Sequence, residues 1–261
     1  MRRYWFRSLG AVLFALLAMM ALYQADQFLA ADPRFTLPGA SEYGEETSGL
    51  RIEGVVYAPR ASVIHVFQTD FGRSLYLLPL AERRQNLLGV DWVEDASVSR
   101  LWPNRAAVRI RERRPVAFVQ LLASGGLASF RIALVDAHGV ILEAPPRARF
   151  TLPVVSGILR EQSESIRRDR VRRMLRLTQE LGPLAANISE IDVSDPENLK
   201  VTEPIDGRAV VLLLGNQDFL PRLKNFLNHY PEIRRRLANA TTFDLRLEDR
   251  ITAVEGTGHG G

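Results

Sequence analysis

The sequence predicts an α+β protein: a single N-terminal transmembrane helix, then a small β-α-α-β-β domain, then a mixed but mainly antiparallel β domain with two flanking helices. Three observations predict it. Residues 9–23 carry no charged or strongly polar side chain, and they follow a start that holds Arg2, Arg3 and Arg7. Short alternating segments then bracket two helical patterns within a stretch of about 65 residues, near the lower size limit of a domain. Residues 116–255 continue with several short alternating segments and two long amphipathic patterns. The composition, 46% hydrophobic and 25% charged over 261 residues, is that of a packed protein and excludes whole-chain disorder, collagen and coiled coil.

The N-terminal run decides the compartment. Trp5 and Phe6 extend it on one side, and Ala25, Phe28, Leu29, Ala30 and Ala31 on the other. With these flanks it reaches the roughly 20 helical residues that a bilayer core requires. The arginines precede it and Asp26 and Asp32 stand at its end, so the positive-inside rule puts the N-terminus in the cytoplasm and the bulk of the chain in the periplasm. Trp5 and Tyr23 are placed to act as interfacial anchors. A cleaved signal peptide has the same basic start and apolar core, but cleavage favours small residues at −3 and −1. Cutting after Ala25 or Ala30 places Tyr23 or Phe28 at −3, so the segment is expected to be retained.

The remaining elements follow in order. Residues 32–48 are rich in Pro, Gly, Ser and Glu and lack apolar periodicity, which reads as a flexible linker. Residues 50–57 (LRIEGVVY) alternate as a strand. Pro59 stands where a helix accepts proline, with Val63, Ile64 and Phe67 at helical spacing. A second short helix covers 79–88 and stops at Gly89. Two strands, 95–100 and 105–113, are joined by Trp102-Pro103-Asn104, a turn with a packed indole. Beyond Pro115, residues 116–122 and 130–135 read as strands, and Ala137-His138-Gly139 turns the latter into residues 140–142. A helix over 161–181 has Val171, Met174, Leu175, Thr178 and Leu181 as its inner stripe, with Arg167, Arg168, Arg172, Arg173 and Arg176 as a solvated face. Strands over 188–193, 199–201 and 208–214 lead to a helix with Phe219, Leu220, Leu223, Phe226, Leu227 and Tyr230 on one side. Two last strands, 242–247 and 251–255, precede a glycine-rich tail. The layout is therefore a cytoplasmic tail (1–8), membrane helix (9–31), linker (32–48), first domain (49–115), β domain (116–255) and tail (256–261).

Several function classes are excluded. Zero cysteines remove disulfides, thiolate zinc sites, iron–sulfur clusters and cysteine nucleophiles. Lys+Arg 34 against Asp+Glu 30 gives +4, but three of those charges are Arg2, Arg3 and Arg7, leaving no basic surplus for nucleic acid. His65, His138, His229 and His259 lie far apart, and neither H-E-x-x-H nor G-x-S-x-G nor a P-loop occurs. No catalytic residue, cofactor or metal site is expected.

The motifs gain meaning as an ordered set. Leu88-Gly89-Val90-Asp91-Trp92-Val93, then Ala96-x-Val98-x-Arg100-x-Trp102-Pro103, then Ile110-x-Glu112-Arg113-x-Pro115-Val116-Ala117 occur in that order. Leu134-Val135-Asp136-x-x-Gly139-Val140, Leu152-Pro153-x-x-Ser156-Gly157, Leu214-Gly215 and Phe243-Asp244-Leu245-Arg246 follow. The set resembles the bacterial cell-division family FtsQ/DivIB, over nearly the whole chain. That resemblance implies that the first domain is a polypeptide-transport-associated (POTRA) domain and that the final strands of the β domain bind a partner. It implies a non-enzymatic scaffold, concentrated at the septum, that binds FtsB and FtsL homologues and so links them to the septal wall synthases. The chain departs from the family pattern at Leu247, where an aromatic residue usually follows Asp-Leu-Arg, and at Arg250, where a turn glycine is usual. The competing reading is a POTRA-containing translocation or outer-membrane assembly factor, which would need several such modules or a long series of alternating barrel strands; residues 116–255 are too few.

The last strand has its own physical argument. Ile251-Thr252-Ala253-Val254 contains neither charge nor proline, the usual means of blunting an edge. It is expected to receive a partner strand by β-augmentation, with Arg246 and Leu247 of the adjoining strand adding side-chain contacts. Glu112-Arg113, by contrast, reads as a surface pair of little energetic weight.

Overall fold

The computed structural model describes residues 2–39, 49–122, 130–146, 148–247 and 250–253. Most of the expected 32–48 linker and the 256–261 tail lie outside the described residues. The chain divides into two compact units, Met1–Arg113 and Arg114–Gly261.

The first unit begins with helix α1 (Arg2–Ala31), which contains an apolar stretch, Leu13–Ala31, long enough to cross a membrane. The side chain of Trp5, expected as an anchor, lies outside what is described. After α1 the chain is not the featureless linker expected from composition. Asp32 caps a single 3-10 turn, Pro33–Phe35, by accepting from the Arg34 N–H. Leu37 is buried, and its backbone bonds to Arg73 and Gly72. Periodicity arguments missed this because only two apolar side chains, Phe35 and Leu37, are involved.

Strand β1 (Leu50–Glu53), helices α2 (Arg60–His65) and α3 (Leu80–Leu88), and strands β2 (Val93–Leu101) and β3 (Arg105–Glu112) follow in the expected β-α-α-β-β order. They form a three-stranded sheet in which β3 is central, parallel to β1 and antiparallel to β2. Strand β1 is shorter than expected because Gly54 ends it at φ +84°, where a Cβ would stand 2.0 Å from the Ile110 carbonyl oxygen. Val63, Phe67, Leu75, Leu87, Val93 and Val108 are buried. Arg83 of α3 turns inward and holds Asp70 through Nε and Nη2 at 2.5 and 3.0 Å, a paired charge that tolerates burial.

Glu112 corrects the sequence reading. Its Oε1 accepts the backbone N–H groups of Val56, Tyr57 and Ala58 at 2.8, 2.8 and 2.7 Å. The carboxylate of the motif therefore fixes the turn that leads into α2. It is a structural anchor, not a loose surface charge. Trp102 differs in the other direction: its indole is 49% exposed and meets one ring, that of Phe35.

Among its described residues the second unit forms a nine-stranded mixed sheet with two α-helices. Its strands are β4 (Pro115–Leu122), β5 (Phe130–Asp136), β6 (Ile141–Leu142), β7 (Val154–Ser156), β8 (Glu190–Asp195), β9 (Asn198–Ile205), β10 (Arg208–Gly215), β11 (Thr242–Asp244) and β12 (Thr252–Ala253). They lie in the order β12-β11-β10-β9-β8-β7-β4-β5-β6. The sequence reading lacked β7, a three-residue strand parallel to both neighbours, β4 and β8. Helices α4 (Glu164–Leu181) and α5 (Phe219–Arg236) lay Val171, Met174, Leu177, Leu181, Phe219, Leu223, Phe226 and Tyr230 onto the sheet. A Ser163 cap on the Ile166 N–H starts α4.

The arginines of α4 are not merely solvated. Arg167 donates to the Gly139 carbonyl at 2.7 Å, and Arg173 to those of Asp195 and Val193 at 2.7 and 3.0 Å. Arg176 donates to the Asn216 carbonyl. Each satisfies carbonyls that loops and strand ends leave open, tying α4 to the sheet's periphery.

Candidate interaction edge

The terminal strands are built around Phe243. Strand β11 runs parallel to β10, with Leu212 beside Phe243, so the chain reaches it by a crossover through α5. Phe243 is buried, with its ring centroid 5.2 Å from Phe226 and 6.4 Å from Tyr230. Leu245 is buried as well, and its N–H donates to the Leu213 carbonyl at 3.0 Å. This packing pins β11, and β11 in turn presents β12, pairing Phe243 with Ala253 and Asp244 with Thr252. Strand β12 closes one end of the sheet, and both of its residues are exposed.

The expected strand over 242–247 stops at Asp244. Its carboxylate accepts the backbone N–H of Arg246 at 3.0 Å, a local side-chain bond that replaces the ladder. The same carboxylate receives Arg246 Nε and Nη2 at 2.9 and 2.6 Å. The Arg246 guanidinium holds the Asp244 carboxyl below the usual aspartate range, against the opposing effect of partial burial. Arg246 is thus aimed by Asp244, and its guanidinium remains half exposed.

A groove of about 310 Å³ lies against this edge, lined by Asp218, Pro221, Arg222 and Asn225 of α5's first turns and by Leu245, Leu247 and Ile251. Leu247 is 48% exposed on its rim, whereas Ile251 packs partly into the core. Arg222 donates to the Leu214 carbonyl at 2.7 Å, while its buried Nε has no hydrogen-bond partner among the described residues. Gly215 makes room for both arginines: at φ +75°, a Cβ there would stand 2.8 Å from Arg222 Nη1 and 3.4 Å from Arg246 Cγ. The Leu214-Gly215 motif therefore serves the groove.

Of the six residues singled out in the sequence, Thr252 and Ala253 lie on the outer strand. Arg246, Leu247 and Ile251 lie in the connection beside it, not on strands, and Val254 is outside the described residues. Sequence reasoning missed Asp244 as the residue that orients Arg246, and the α5 side of the groove. The spacing of Asp218, Arg222 and Asn225 at i, i+4 and i+7 places them along one helix face and was the available signal. Among the described residues no three His, Asp or Glu side chains gather as a metal site would require.

Comparison with known proteins agrees with this architecture. Residues 47–113 match the family model of the FtsQ-type POTRA domain, and residues 128–246 match that of the C-terminal region of cell division protein FtsQ/DivIB. The chain is 34% identical over 226 residues to the cell division protein FtsQ of Koribacter versatilis, covering 81% of this chain and 63% of that one. It is 29% identical over 147 residues to the FtsQ of Zymomonas mobilis, covering 54% and 44%. To that of Novosphingobium aromaticivorans it is 28% identical over 214 residues, covering 81% and 62%. These matches span less than two thirds of each relative's length. The chain belongs to the FtsQ/DivIB family of cell division proteins.

Proposed function

We propose that the chain is a single-pass scaffold of the division machinery, without catalysis of its own, whose second unit captures a segment of an FtsB or FtsL homologue as an added strand beside β12. Through that capture it brings the septal wall synthases into one complex. Its N-terminus is cytoplasmic, and the chain beyond α1 stands in the periplasm, at the septum. The observation that carries this reading is an exposed outer strand, Thr252–Ala253, flanked by a groove partly lined by Leu245, Leu247 and Ile251 and by the Asp244-held Arg246. The backbone N–H and C=O groups of such an edge give affinity, and the groove gives selectivity. The arginines at positions 2, 3 and 7 before the apolar helix support the orientation.

Proline substitution tests the proposal. In an antiparallel pair, consecutive residues direct their N–H groups alternately toward and away from the neighbouring strand. One of Thr252→Pro and Ala253→Pro therefore removes an outward donor and leaves the contact to β11 intact. That variant should lose at least about tenfold in affinity for the purified FtsB–FtsL homologue, the worth of roughly one hydrogen bond. If neither variant weakens binding and both keep the circular dichroism of the parent, strand addition is not the mechanism.

A further inference from the structure

The join between α1 and the first unit is made of side chains, and it is made within the helix's apolar stretch. Ser74 donates through Oγ to the Leu29 carbonyl at 2.6 Å, and Tyr76 is hydrogen-bonded to Asp26. Phe28 meets Phe35 edge-on at 5.8 Å, and Phe35 meets Trp102 at 5.4 Å. Thr36 bridges to Ser74, and Leu37 is buried. Asp26, Phe28 and Leu29 all belong to the apolar stretch Leu13–Ala31. With Tyr23 at the interface where the uncharged run 9–23 ends, Asp26, Phe28 and Leu29 lie about one to two turns beyond it. The groups that touch α1's final turns are thereby held at the depth where acyl chains give way to headgroups.

Apart from Val56 and Tyr57 in the turn before α2, the large exposed apolar side chains described beyond α1 in this unit are Leu77, Leu101 and Trp102. Leu77, 49% exposed, belongs to the 3-10 turn Leu75–Leu77 that Ser74 caps and that carries Tyr76. Trp102, 49% exposed, touches the Phe35 ring, and Leu101 precedes it at 40%. Single exposed leucines need no explanation. The turn that carries Leu77 contacts α1, the one helix among the described residues long and apolar enough to span a bilayer, and Trp102 is linked to it through the Phe35 ring. Tryptophan is the residue most at home at headgroup level. Arg34, paired with Asp32 at 2.9 Å, stands over the Phe28 ring at 5.4 Å.

We propose that the POTRA domain of the first unit sits on the lipid surface where α1 emerges, with Leu77, Leu101 and Trp102 inserted into the interfacial layer of that leaflet. Helix and POTRA domain then move as one body against the membrane. The reading goes beyond strand capture by the second unit and is independent of it. It rests on α1 crossing the bilayer, and the test separates the two.

The chain has no cysteine, so single labelling sites can be introduced cleanly. Leu77→Cys, Leu101→Cys, Leu17→Cys and Arg172→Cys, each in the full chain and carrying an environment-sensitive fluorophore, are reconstituted in phosphatidylethanolamine–phosphatidylglycerol vesicles. Nitroxide lipids labelled at the headgroup or mid-chain then serve as quenchers. Labels at 77 and 101 should lose about half or more of their emission to headgroup nitroxide, as expected of interfacial side chains. The label at 17 should be quenched by mid-chain nitroxide, and that at 172 by neither. Quenching at 17 without quenching at 77 and 101 overturns the lipid seat and leaves the span standing. So does a blue-shifted but unquenched label at 77 or 101, which would mean that protein covers the patch. Absence of quenching at 17 overturns the span, and the seat with it.

Discussion

Replacing Glu112 by alanine removes the single oxygen that accepts three backbone N–H groups, at 2.8 Å from Val56, 2.8 Å from Tyr57 and 2.7 Å from Ala58. Hydrogen bonds to a charged acceptor contribute about 1.5–3 kcal/mol each, but the three are not equal. Val56 and Tyr57 are 76% and 37% exposed, so water can replace the acceptor there, whereas Ala58 is 5% exposed and its donor would be stranded. One full loss and two partial ones give a destabilisation of about 2–4 kcal/mol for Glu112→Ala. Glu112→Gln keeps an acceptor but loses the charge, which about halves each bond, so it should cost about 1–2 kcal/mol. The damage is also localised. The turn at 55–58 leads directly into α2, and Tyr57 stacks at 5.0 Å on Trp92, which is buried. Urea unfolding of the detergent-solubilised chain in a Trp5→Phe, Trp102→Phe background, followed by Trp92 emission and by amide exchange at 56–58, reads both effects. A midpoint for Glu112→Ala equal to the parent's, or a glutamine variant as poor as alanine, would refute the anchoring role.

Two further predictions concern pH. Glu203 on β9 is 5% exposed, its Oε2 has no partner among the described residues, and burial pushes its carboxyl above the usual range, against a bond from Asn187. A raised carboxyl favours the folded state below its unfolded value and loses that advantage as pH rises through the folded value. Glu203→Gln should therefore be more stable than the parent by about 1 kcal/mol at neutral pH, with no advantage below about pH 4, as paired urea titrations would show. Asp244 has the opposite sign: its bond from Arg246 holds it low, so its contribution is present above the unfolded value and is lost as pH falls through the folded one. Asp244→Asn should cost about 1 kcal/mol at neutral pH, discounted for the half-exposed guanidinium, and the gap should close on acidification; a gap unchanged down to about pH 2 would exclude the ion pair as its source.

Much of the fold was legible because its elements are local. The membrane helix follows from one apolar run, and the β-α-α-β-β order from alternation, proline placement and Gly89. What escaped was set by partners distant in sequence. Strand β7 is three residues long and is defined by lying between β4 and β8, which no pattern within 154–156 could announce. Glu112 looked like a surface charge because its acceptor role depends on residues 54–56 positions earlier. The arginines of α4 looked solvated because their partners are carbonyls, which have no sequence signature. Arginine-rich faces in this chain are therefore poor guides to solvent or to anionic ligands until their carbonyl partners are known.

The interaction edge shows the same division between local and distant causes. The unblunted strand was visible in Ile251-Thr252-Ala253, since the absence of charge and proline is a property of the residues themselves. The position of Arg246 was not: a strand through Leu247 would have turned it by alternation alone, whereas Asp244 ends the ladder and holds the Arg246 backbone by one bond and its guanidinium through Nε and Nη2. That replacement has a functional consequence for the proposed mechanism. A side chain on a strand is oriented by the sheet and would shift with any slip in register, but Arg246 is oriented by its own Asx turn. A partner strand pairing with β12 can thus adjust by a residue without losing the arginine. Leu247, 48% exposed on the rim of the groove, extends the point. In the proposed complex a leucine there buries less area than an aromatic ring would, so more of the selectivity would fall on Arg246 and on the α5 side of the groove.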